Sequence, residues 1–375
     1  MKMSLFFVAF GIGMAILNYY IYLRFFKRLH PPFNKFAFVI PSILMIGEIL
    51  FIIEAITHNL VENPTMYYLL ALSIGITFLL FVISVTYDLN LTLFKKVPYQ
   101  ESRRRFIKII FDVTMLILAF SYLFKGLKGG LSKPILNTIN VNIDGFNKDD
   151  YVIIQLSDMH VGRTLQKDFV EDLVRRTNAE NPDIVVITGD LVDADINSIK
   201  KDLKPLQNIK APTFFTIGNH EFFHGVEESI EYIKSLGITV LVNENRVIKT
   251  DKFSFNLVGL SDEMGSRLDL LPIDVKKAYT NLDKTLPNIV LAHQPKSILR
   301  LNKRRCDLML SGHTHGGQIF PFGILVMVDQ PYLAGLYQHS SSQKIFVSRG
   351  AGYWGPPIRV MAPSEISKIV IKGTT

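Results

Sequence analysis

The chain has 375 residues, 48% of them hydrophobic, a formal net charge of +8 and a single cysteine. One cysteine excludes an intramolecular disulfide framework, so the fold must depend on apolar burial or on bound metal. Residues 1–130 carry 13 Lys and Arg against 6 Asp and Glu, whereas residues 131–375 carry 28 against 27. The positive charge therefore belongs to the first third of the chain and gives little reason to expect a nucleic-acid partner.

Four long apolar stretches occupy the first part of the chain. They cover residues 5–25, 36–56, 67–87 and 107–124. Each is close to the ~20 residues that a bilayer-spanning helix requires. The sequence therefore predicts a four-helix transmembrane region over residues 1–127, and a multi-pass protein of the cell membrane in contact with the lipid bilayer.

Two carboxylates, Glu48 and Glu54, lie within the second stretch. Ionisable groups inside a membrane are costly and usually mark a pair or a pathway. Glu54 is near the end of its stretch, where it can reach the interface. Glu48 fits either a plain anchor with one hydrogen-bonded carboxyl group or a lipid-handling or sensor module coupled to the rest of the chain.

Loop charges predict the orientation in the membrane. The positive residues are Arg24, Lys27, Arg28 and Lys35 in the first loop and Lys95, Lys96, Arg103, Arg104, Arg105 and Lys108 in the third. The second loop, residues 58–66, contains Glu62 and no Lys or Arg. The positive-inside rule places the first and third loops in the cytoplasm, so after four spans the rest of the chain would be extracytoplasmic.

The segment Ser102–Lys108 reads Ser-Arg-Arg-Arg-Phe-Ile-Lys and directly precedes the fourth apolar stretch. It resembles a twin-arginine export signal, which would make the twin-arginine machinery a partner. The alternative is a plain cytoplasmic arginine cluster, and both interpretations place the following domain outside. No small-x-small cleavage site follows Phe124, which favours an uncleaved anchor.

Residues 128–148 are predicted to form a linker and a first strand. Gly129, Gly130 and Pro134 are followed by alternating apolar residues, Ile139, Val141 and Ile143, a pattern typical of a strand. Strand-like and helix-like segments then alternate over residues 149–375, and the last strands lack intervening helices. This pattern predicts an α/β domain, and its length is ample for one buried core.

Five polar blocks each follow a short apolar run in this second part. They are Asp158-Met159-His160, Gly189-Asp190, Gly218-Asn219-His220-Glu221, Ala292-His293 and Gly312-His313-Thr314-His315. Short apolar runs are typical of buried strands, whose ends usually carry the chemistry of an α/β sheet. Each block alone also fits an ordinary capped turn. Together they supply oxygen and nitrogen donors without a thiolate, enough for two Mn, Fe or Zn ions if one carboxylate bridges them.

In their residues and their order, the five blocks resemble the motifs of the calcineurin-like metallophosphoesterase superfamily. The resemblance covers the chain from about Tyr151 to the C-terminus. The resemblance implies a four-layer sandwich of two mixed β-sheets flanked by helices. It implies a first metal held by Asp158, His160 and His315, a second held by Asn219, His293 and His313, and Asp190 as the bridge. By the same resemblance, His220 would protonate the leaving oxygen and, with Asn219, stabilise charge on the phosphoryl group.

Two further acidic residues belong to these blocks or follow them closely. Glu221 is expected to orient its loop rather than to act in catalysis. Asp193 fits either a support for the Asp190 loop or the start of the following helix.

The sequence thus predicts a membrane-anchored, dinuclear-metal phosphoesterase acting on a phosphodiester, pyrophosphate or phosphomonoester of a lipid or cell-envelope precursor. Candidate substrate contacts are His224, Arg267, Arg349, Tyr353 and Arg359. The Tyr353-Trp354 pair could equally pack a loop against the domain. A nuclease would use the same metals, but the nearly neutral charge of residues 131–375 disfavours it. A non-catalytic scaffold would lack ligands, and here every ligand position is filled.

Overall fold

The computed structural model describes residues 2–57, 61, 63–94, 101–146, 150–251 and 253–373. The chain divides into two compact units. The helical unit comprises Met1–Leu131 and the short segment Gly355–Val360, and the second unit comprises Ser132–Trp354 and Met361–Thr375. Of the residues used above, Glu62, Lys95, Lys96 and positions 147–148 lie outside the described part of the chain.

The helical unit contains four helices that are long and apolar enough to cross a membrane, counted over the described residues. They are α1 (Lys2–Arg24), α2 (Val39–Thr57), α3 (Pro64–Phe94) and α4 (Glu101–Leu131). The predicted apolar helices are therefore confirmed. Helix α4 is longer than its apolar stretch because the arginine cluster before it and the residues after Phe124 are also helical.

Both carboxylates of α2 have hydrogen-bond partners. The carboxylate of Glu48 accepts hydrogen bonds from Asn18 Nδ2 of α1, at 2.8 Å, and from the Thr77 hydroxyl of α3. Glu54 accepts a hydrogen bond from the backbone N–H of Val61 at 2.8 Å. Partners of this kind offset the cost of a polar group in apolar surroundings. The Glu48 carboxylate thus connects three helices of the bundle.

The glycines predicted as part of a linker are in fact helical and closely packed. A Cβ placed on Gly130 would lie 2.0 Å from the carbonyl oxygen of Pro357, and one on Gly129 would lie 2.2 Å from that of Arg359. The backbone N–H of Arg359 donates to the Gly126 carbonyl oxygen at 3.0 Å. Because glycine has no side chain, the segment Gly355–Val360 of the helical unit can approach the backbone of α4 closely.

The second unit contains two six-stranded sheets. The first has the order β1-β12-β2-β3-β4-β5, with strands Ile135–Asn142, Glu365–Lys372, Tyr151–Leu156, Ile184–Thr188, Thr213–Thr216 and Thr239–Val240. The second has the order β10-β11-β9-β8-β7-β6, with strands Gly335–Gln338, Lys344–Val347, Leu308–Ser311, Asn288–Leu291, Ser254–Gly259 and Glu244–Lys249.

Both sheets are mixed. In the first, β2 to β5 are parallel and β12 is antiparallel to β2. In the second, β7, β8, β9 and β11 are parallel, and β6 and β10 pair antiparallel at the edges. A βαβ arrangement explains the parallel part, because parallel neighbours need a crossover connection.

Helices connect the strands of the two sheets, and some of them pack on the outer faces. They are α5 (Lys167–Ala179), α6 (Ile196–Leu203), α7 (Asn219–Phe223), α8 (Val226–Ser235), α9 (Glu263–Leu268), α10 (Val275–Ala278) and α11 (Gly323–Asp329). Leu173 and Ile199 pack on the first sheet, whereas Ala278 and Ile298 pack on the second. A separate apolar core, which includes Ile153, joins the inner faces of the sheets. The predicted four-layer fold of two mixed sheets flanked by helices is thereby confirmed.

Substitution of Phe255 tests the packing of the core between the sheets. It is fully buried, with ring centroids 5.2 Å from Phe146 and 5.4 Å from Tyr151. We expect Phe255→Ala to lower the free energy of unfolding by about 3–5 kcal/mol, because a large buried side chain leaves a cavity. Cys306 is 1% exposed, so maleimide labelling of its thiol during thermal unfolding of the detergent-purified chain measures the change.

The matched control is Val247→Ala, which removes an exposed side chain from β6 of the second sheet. Its effect should stay within ~0.5 kcal/mol. Equal labelling temperatures for the two variants would contradict the placement of Phe255 between the sheets.

Candidate dinuclear metal site

The five polar blocks follow strands that end at neighbouring edges of the two sheets. Asp158, Asp190 and Asn219 follow β2, β3 and β4, and His293 and His313 follow β8 and β9. Because these strands are parallel within each sheet, their carboxyl ends meet at one side. Long-range folding thus brings together residues that lie far apart in the chain.

Several of these turns have unusual backbone conformations. Asp158, His160, Asp190, His313 and His315 have φ angles between +46° and +70°. Left-handed conformations are uncommon for residues other than glycine and cost on the order of 1–3 kcal/mol each. Strained turns of this kind concentrate at functional sites, where the surrounding structure holds them in place.

The first group of donors contains Asp158, His160 and His315, all buried. The Nε2 atoms of His160 and His315 are 3.0 Å apart, and His315 Nε2 is 3.5 Å from Asp158 Oδ1. Gly312 makes room for this group, since a Cβ at that position would lie 2.2 Å from Asp158 Oδ2. The three residues therefore direct donor atoms at one point.

The second group contains Asn219, His293 and His313. His293 Nε2 is 3.2 Å from Asn219 Oδ1 and 3.2 Å from His313 Nδ1. The other ring nitrogen of His293, Nδ1, donates to the carbonyl oxygen of Thr188 at 2.8 Å. That hydrogen bond orients the ring and directs Nε2 into the group.

Asp190 lies between the two groups. Its Oδ2 atom is 3.1 Å from His293 Nε2 and 3.9 Å from His160 Nε2, and its Oδ1 accepts the backbone N–H of His220 at 2.9 Å. Burial disfavours the charged carboxylate, but the nearby imidazoles of His293 and His220 hold the pKa of Asp190 well below its ordinary value. An ionised carboxylate in this position can bridge two cations.

The donor set fits two divalent metal ions. Imidazole and carboxylate donors separated by 3.0–3.5 Å have the spacing of ligands around one ion with bonds of about 2.0–2.2 Å. Burial and the neighbouring His293 lower the pKa of His313 to about 3, so this imidazole is in the neutral form that binds metal. The structure thus brings all seven predicted metal ligands together.

Glu221 holds the Asp190 loop. Its fully buried carboxylate accepts backbone N–H groups from Gly218 at 2.6 Å, Asp190 at 3.1 Å and Leu191 at 2.8 Å. Three backbone donors on one side chain connect two of the ligand-bearing turns. This geometry matches the orienting role predicted for Glu221.

His220 lies beside the metal-ligand groups, with its ring centroid 4.5 Å from that of His160. Its Nδ1 atom is 2.8 Å from Asp193 Oδ1. Burial opposes protonation, but the charges of Asp190 and Asp193 outweigh it and raise the pKa of His220 to about 9. The two carboxylates therefore favour the protonated form of the His220 ring.

Asp193 does not begin the following helix. Asp195 caps α6 instead, because its side chain accepts the backbone N–H of Asn197 at 2.9 Å. The helix-start alternative for Asp193 is therefore wrong. Asp193 lies among the imidazoles of His220, His160 and His224.

Among the predicted substrate contacts, His224 lies beside the metal-ligand groups. Its Nε2 atom is 3.7 Å from Asp193 Oδ1 and its ring centroid is 6.0 Å from that of His220. Tyr353 is buried and Arg267 is exposed at the end of α9.

The two arginines predicted to pair with a second phosphate have other surroundings. Arg349 Nη2 is 2.5 Å from Glu365 Oε2, so a phosphate would have to compete with a buried carboxylate. Arg359 is buried and belongs to the helical unit. The pairing of these arginines with a second phosphate stays a prediction.

Sequence reasoning missed two residues near the site. Gln318 exchanges two hydrogen bonds with the backbone of Trp354, at 2.9 and 3.0 Å, and the Trp354 ring centroid is 6.2 Å from that of His220. Burial raises the pKa of Asp262 to about 6, and His293 lies close enough to oppose that shift. A signal for Asp262 existed, because it follows the end of β7 by three residues at the same sheet edge.

The role of Glu221 can be tested through metal affinity. We expect Glu221→Gln to weaken metal binding about 10- to 100-fold, since residues that orient metal ligands typically have effects of that size. Calorimetric titration of the metal-stripped, detergent-purified chain with Mn²⁺ measures the change. Glu227→Gln, an exposed residue of α8, is the matched control, and equal affinities for the two variants would contradict the orienting role.

Comparison with known proteins gives the same assignment. A family model described as calcineurin-like phosphoesterase matches residues 151–317. An uncharacterized metallophosphoesterase of Helicobacter pylori is 36% identical over 366 residues, covering 96% of each chain. A Danio rerio transmembrane protein with a metallophosphoesterase domain is 35% identical over 230 residues, 59% of this chain and 53% of that one.

A third relative, the phosphodiesterase YaeI of Escherichia coli, is 34% identical over 219 residues, 55% of this chain and 77% of its own. The match to the Helicobacter pylori relative includes the four apolar helices as well as the metal-ligand turns. The chain belongs to the calcineurin-like phosphoesterase family, as a membrane protein with a metal-dependent phosphoesterase domain.

Proposed function

We propose that this chain hydrolyses a phosphodiester, pyrophosphate or phosphomonoester of a lipid or cell-envelope precursor, with His220 as the general acid. The observation that carries the proposal is the position of His220. Its ring is perpendicular to that of His160 of the first donor group, with the centroids 4.5 Å apart, and Asp193 Oδ1 lies 2.8 Å from its Nδ1. A protonated imidazole in this position can donate a proton to the leaving oxygen of a bound phosphoryl group.

Two divalent ions bound at this site supply charge neutralisation for the phosphoryl oxygens and a water molecule that ionises near neutral pH. His220 donates its Nε2 proton to the leaving oxygen as the phosphorus–oxygen bond breaks. Asp193 Oδ1 lies 2.8 Å from Nδ1, and its negative charge stabilises the protonated ring before the transfer. Asn219 turns its Oδ1 toward His293, which leaves its amide N–H groups for a non-bridging oxygen.

The relatives and the donor atoms support a proposal for the class of ester and for the metals. One similar protein is described as a phosphodiesterase, which supports a diester substrate. Imidazole, carboxylate and amide donors favour Mn, Fe or Zn, of which we propose Mn for initial assays. The nearly neutral charge of residues 131–375 favours a lipid or envelope ester over a nucleic acid.

His220→Ala tests the general acid. On a substrate with a poor alkoxide leaving group, the turnover of the detergent-purified chain with Mn²⁺ should fall by a factor of about 10²–10⁴, which is the usual contribution of general acid catalysis. With a p-nitrophenolate leaving group the loss should be much smaller, because that oxygen departs without protonation. Steady-state rates on matched alkyl and p-nitrophenyl phosphodiesters measure the difference.

The matched control is His339→Ala, which changes a histidine hydrogen-bonded to Tyr332 rather than a residue of the site. The metal content of both variants should equal that of the parent chain. A loss of equal size on both substrates would show that His220 acts on binding or folding rather than on the leaving oxygen.

We also propose that the phosphoesterase domain lies outside the cytoplasm, on the evidence of the loop charges. Ser341 is exposed in the second unit and Lys35 is exposed in the first loop. An impermeant maleimide should label Ser341→Cys in intact cells and Lys35→Cys only after permeabilisation. Cys306 should not react with the maleimide, since it is buried and burial raises the pKa of its thiol. The reverse labelling pattern would overturn this orientation.

Export through the twin-arginine machinery is proposed for the same domain. Arg103 and Arg104 are exposed in the first turn of α4. Replacing both with Lys keeps the loop charge but removes the arginine pair, so external labelling of Ser341→Cys should fall. Unchanged labelling would identify a plain cytoplasmic arginine cluster.

A further inference from the structure

An apolar segment directly follows the last metal-binding block. Between Gln318 and Asp329 the sequence Ile-Phe-Pro-Phe-Gly-Ile-Leu-Val-Met-Val contains no polar side chain. Its second half forms α11. A segment of this composition is normally buried in a core, so its actual exposure is informative.

Four of its side chains are exposed. Ile324, Leu325, Met327 and Val328 have relative exposures of 66%, 61%, 56% and 84%. Positions three and four apart share one side of a helix, so the four residues form a continuous surface, here called the α11 face. Contiguous apolar surfaces of this kind mark sites of interaction with a partner or a membrane.

The α11 face is held at both ends. At its start, Gly317 and Gly323 are in close contact, since a Cβ on Gly317 would lie 2.5 Å from Gly323 Cα. At its end, Lys296 Nζ is 2.6 Å from Asp329 Oδ2, and Gln330 accepts the backbone N–H of Lys296 at 3.1 Å. The exposed side chains are therefore presented by an anchored helix.

We propose that the α11 face enters the lipid layer of the membrane that holds helices α1–α4. The chain is already a membrane protein, so a bilayer is always present at high local concentration. The face itself carries no charge, and the charged groups at its end are paired with each other. Apolar surfaces flanked by aromatic residues, here Phe320 and Phe322, are typical of segments that lie in a membrane interface.

The site lies close to this surface. Gly317, which contacts the start of α11, follows the metal ligand His315 by two residues. The next residue, Gln318, holds Trp354, whose half-exposed ring lies beside His220. If the proposed function is correct, a lipid phosphoester could reach His220 while its hydrocarbon part remained in the bilayer. The membrane contact itself does not depend on that function.

Depth-dependent quenching tests the contact with the full chain in phosphatidylcholine and phosphatidylglycerol vesicles. An environment-sensitive fluorophore on Val328→Cys should show blue-shifted emission and should lose fluorescence with lipids that carry a nitroxide on the upper acyl chain. Aqueous iodide should have little effect on it. Leu325→Cys is a second labelling position on the same face, so the result does not depend on one variant.

The control is the same fluorophore on Ser341→Cys, which iodide should quench and the nitroxide lipids should not. Equal iodide quenching at positions 328 and 341 would overturn the proposal. The proposal would also be overturned if Val328→Cys formed disulfide-linked dimers and showed no quenching by the nitroxide lipids. In that case a second copy of the chain would cover the α11 face. Adding Asp190→Asn separates the two proposals, since lipid quenching should persist in a chain that cannot hydrolyse its substrate.

Discussion

The Asp190 carboxylate is the constraint on which the site depends. It lies between two groups of donors, each of which combines residues from both sheets, with Oδ2 3.1 Å from His293 and 3.9 Å from His160. A buried carboxylate is unfavourable unless positive charge and hydrogen-bond donors surround it. Here the imidazoles lower its pKa, and the backbone N–H of His220 donates to it. The turn that carries Asn219 and His220 thus also fixes the position of Asp190.

The fold makes that arrangement possible by supporting strained turns. Asp158, Asp190 and His313 adopt left-handed conformations that short peptides would rarely keep. Each follows a strand whose side chains are all, or all but one, buried, and Glu221 connects the turns after β3 and β4. The apolar core between the sheets therefore stabilises the site indirectly, because it fixes the strand ends from which the turns begin.

Membrane attachment and catalysis are combined in one chain. The four helices hold together through polar contacts, such as the Glu48 hydrogen bonds to Asn18 and Thr77, as well as through apolar packing. The phosphoesterase domain adds an apolar surface of its own on α11, next to the metal-binding turns. These features are consistent with an enzyme whose substrate is at a membrane surface.

The sequence by itself predicted the four apolar helices, the α/β fold and the seven candidate metal-ligand residues. These features are readable because apolar periodicity and ligand chemistry are local properties of the chain. The sequence also left choices that local pattern does not resolve. Asp193 could begin a helix or support a loop, and only the structure shows that Asp195 caps α6 while Asp193 holds His220.

Tertiary structure alone decided which side chains meet. It paired Arg349 with Glu365, made the glycines at the end of α4 packing residues, and left the α11 face exposed. His160 and His315 come within 3.0 Å although 155 positions separate them in the chain. Such contacts follow from the pairing of strands and the packing of two sheets, which depend on the free energy of the whole domain rather than on any one segment.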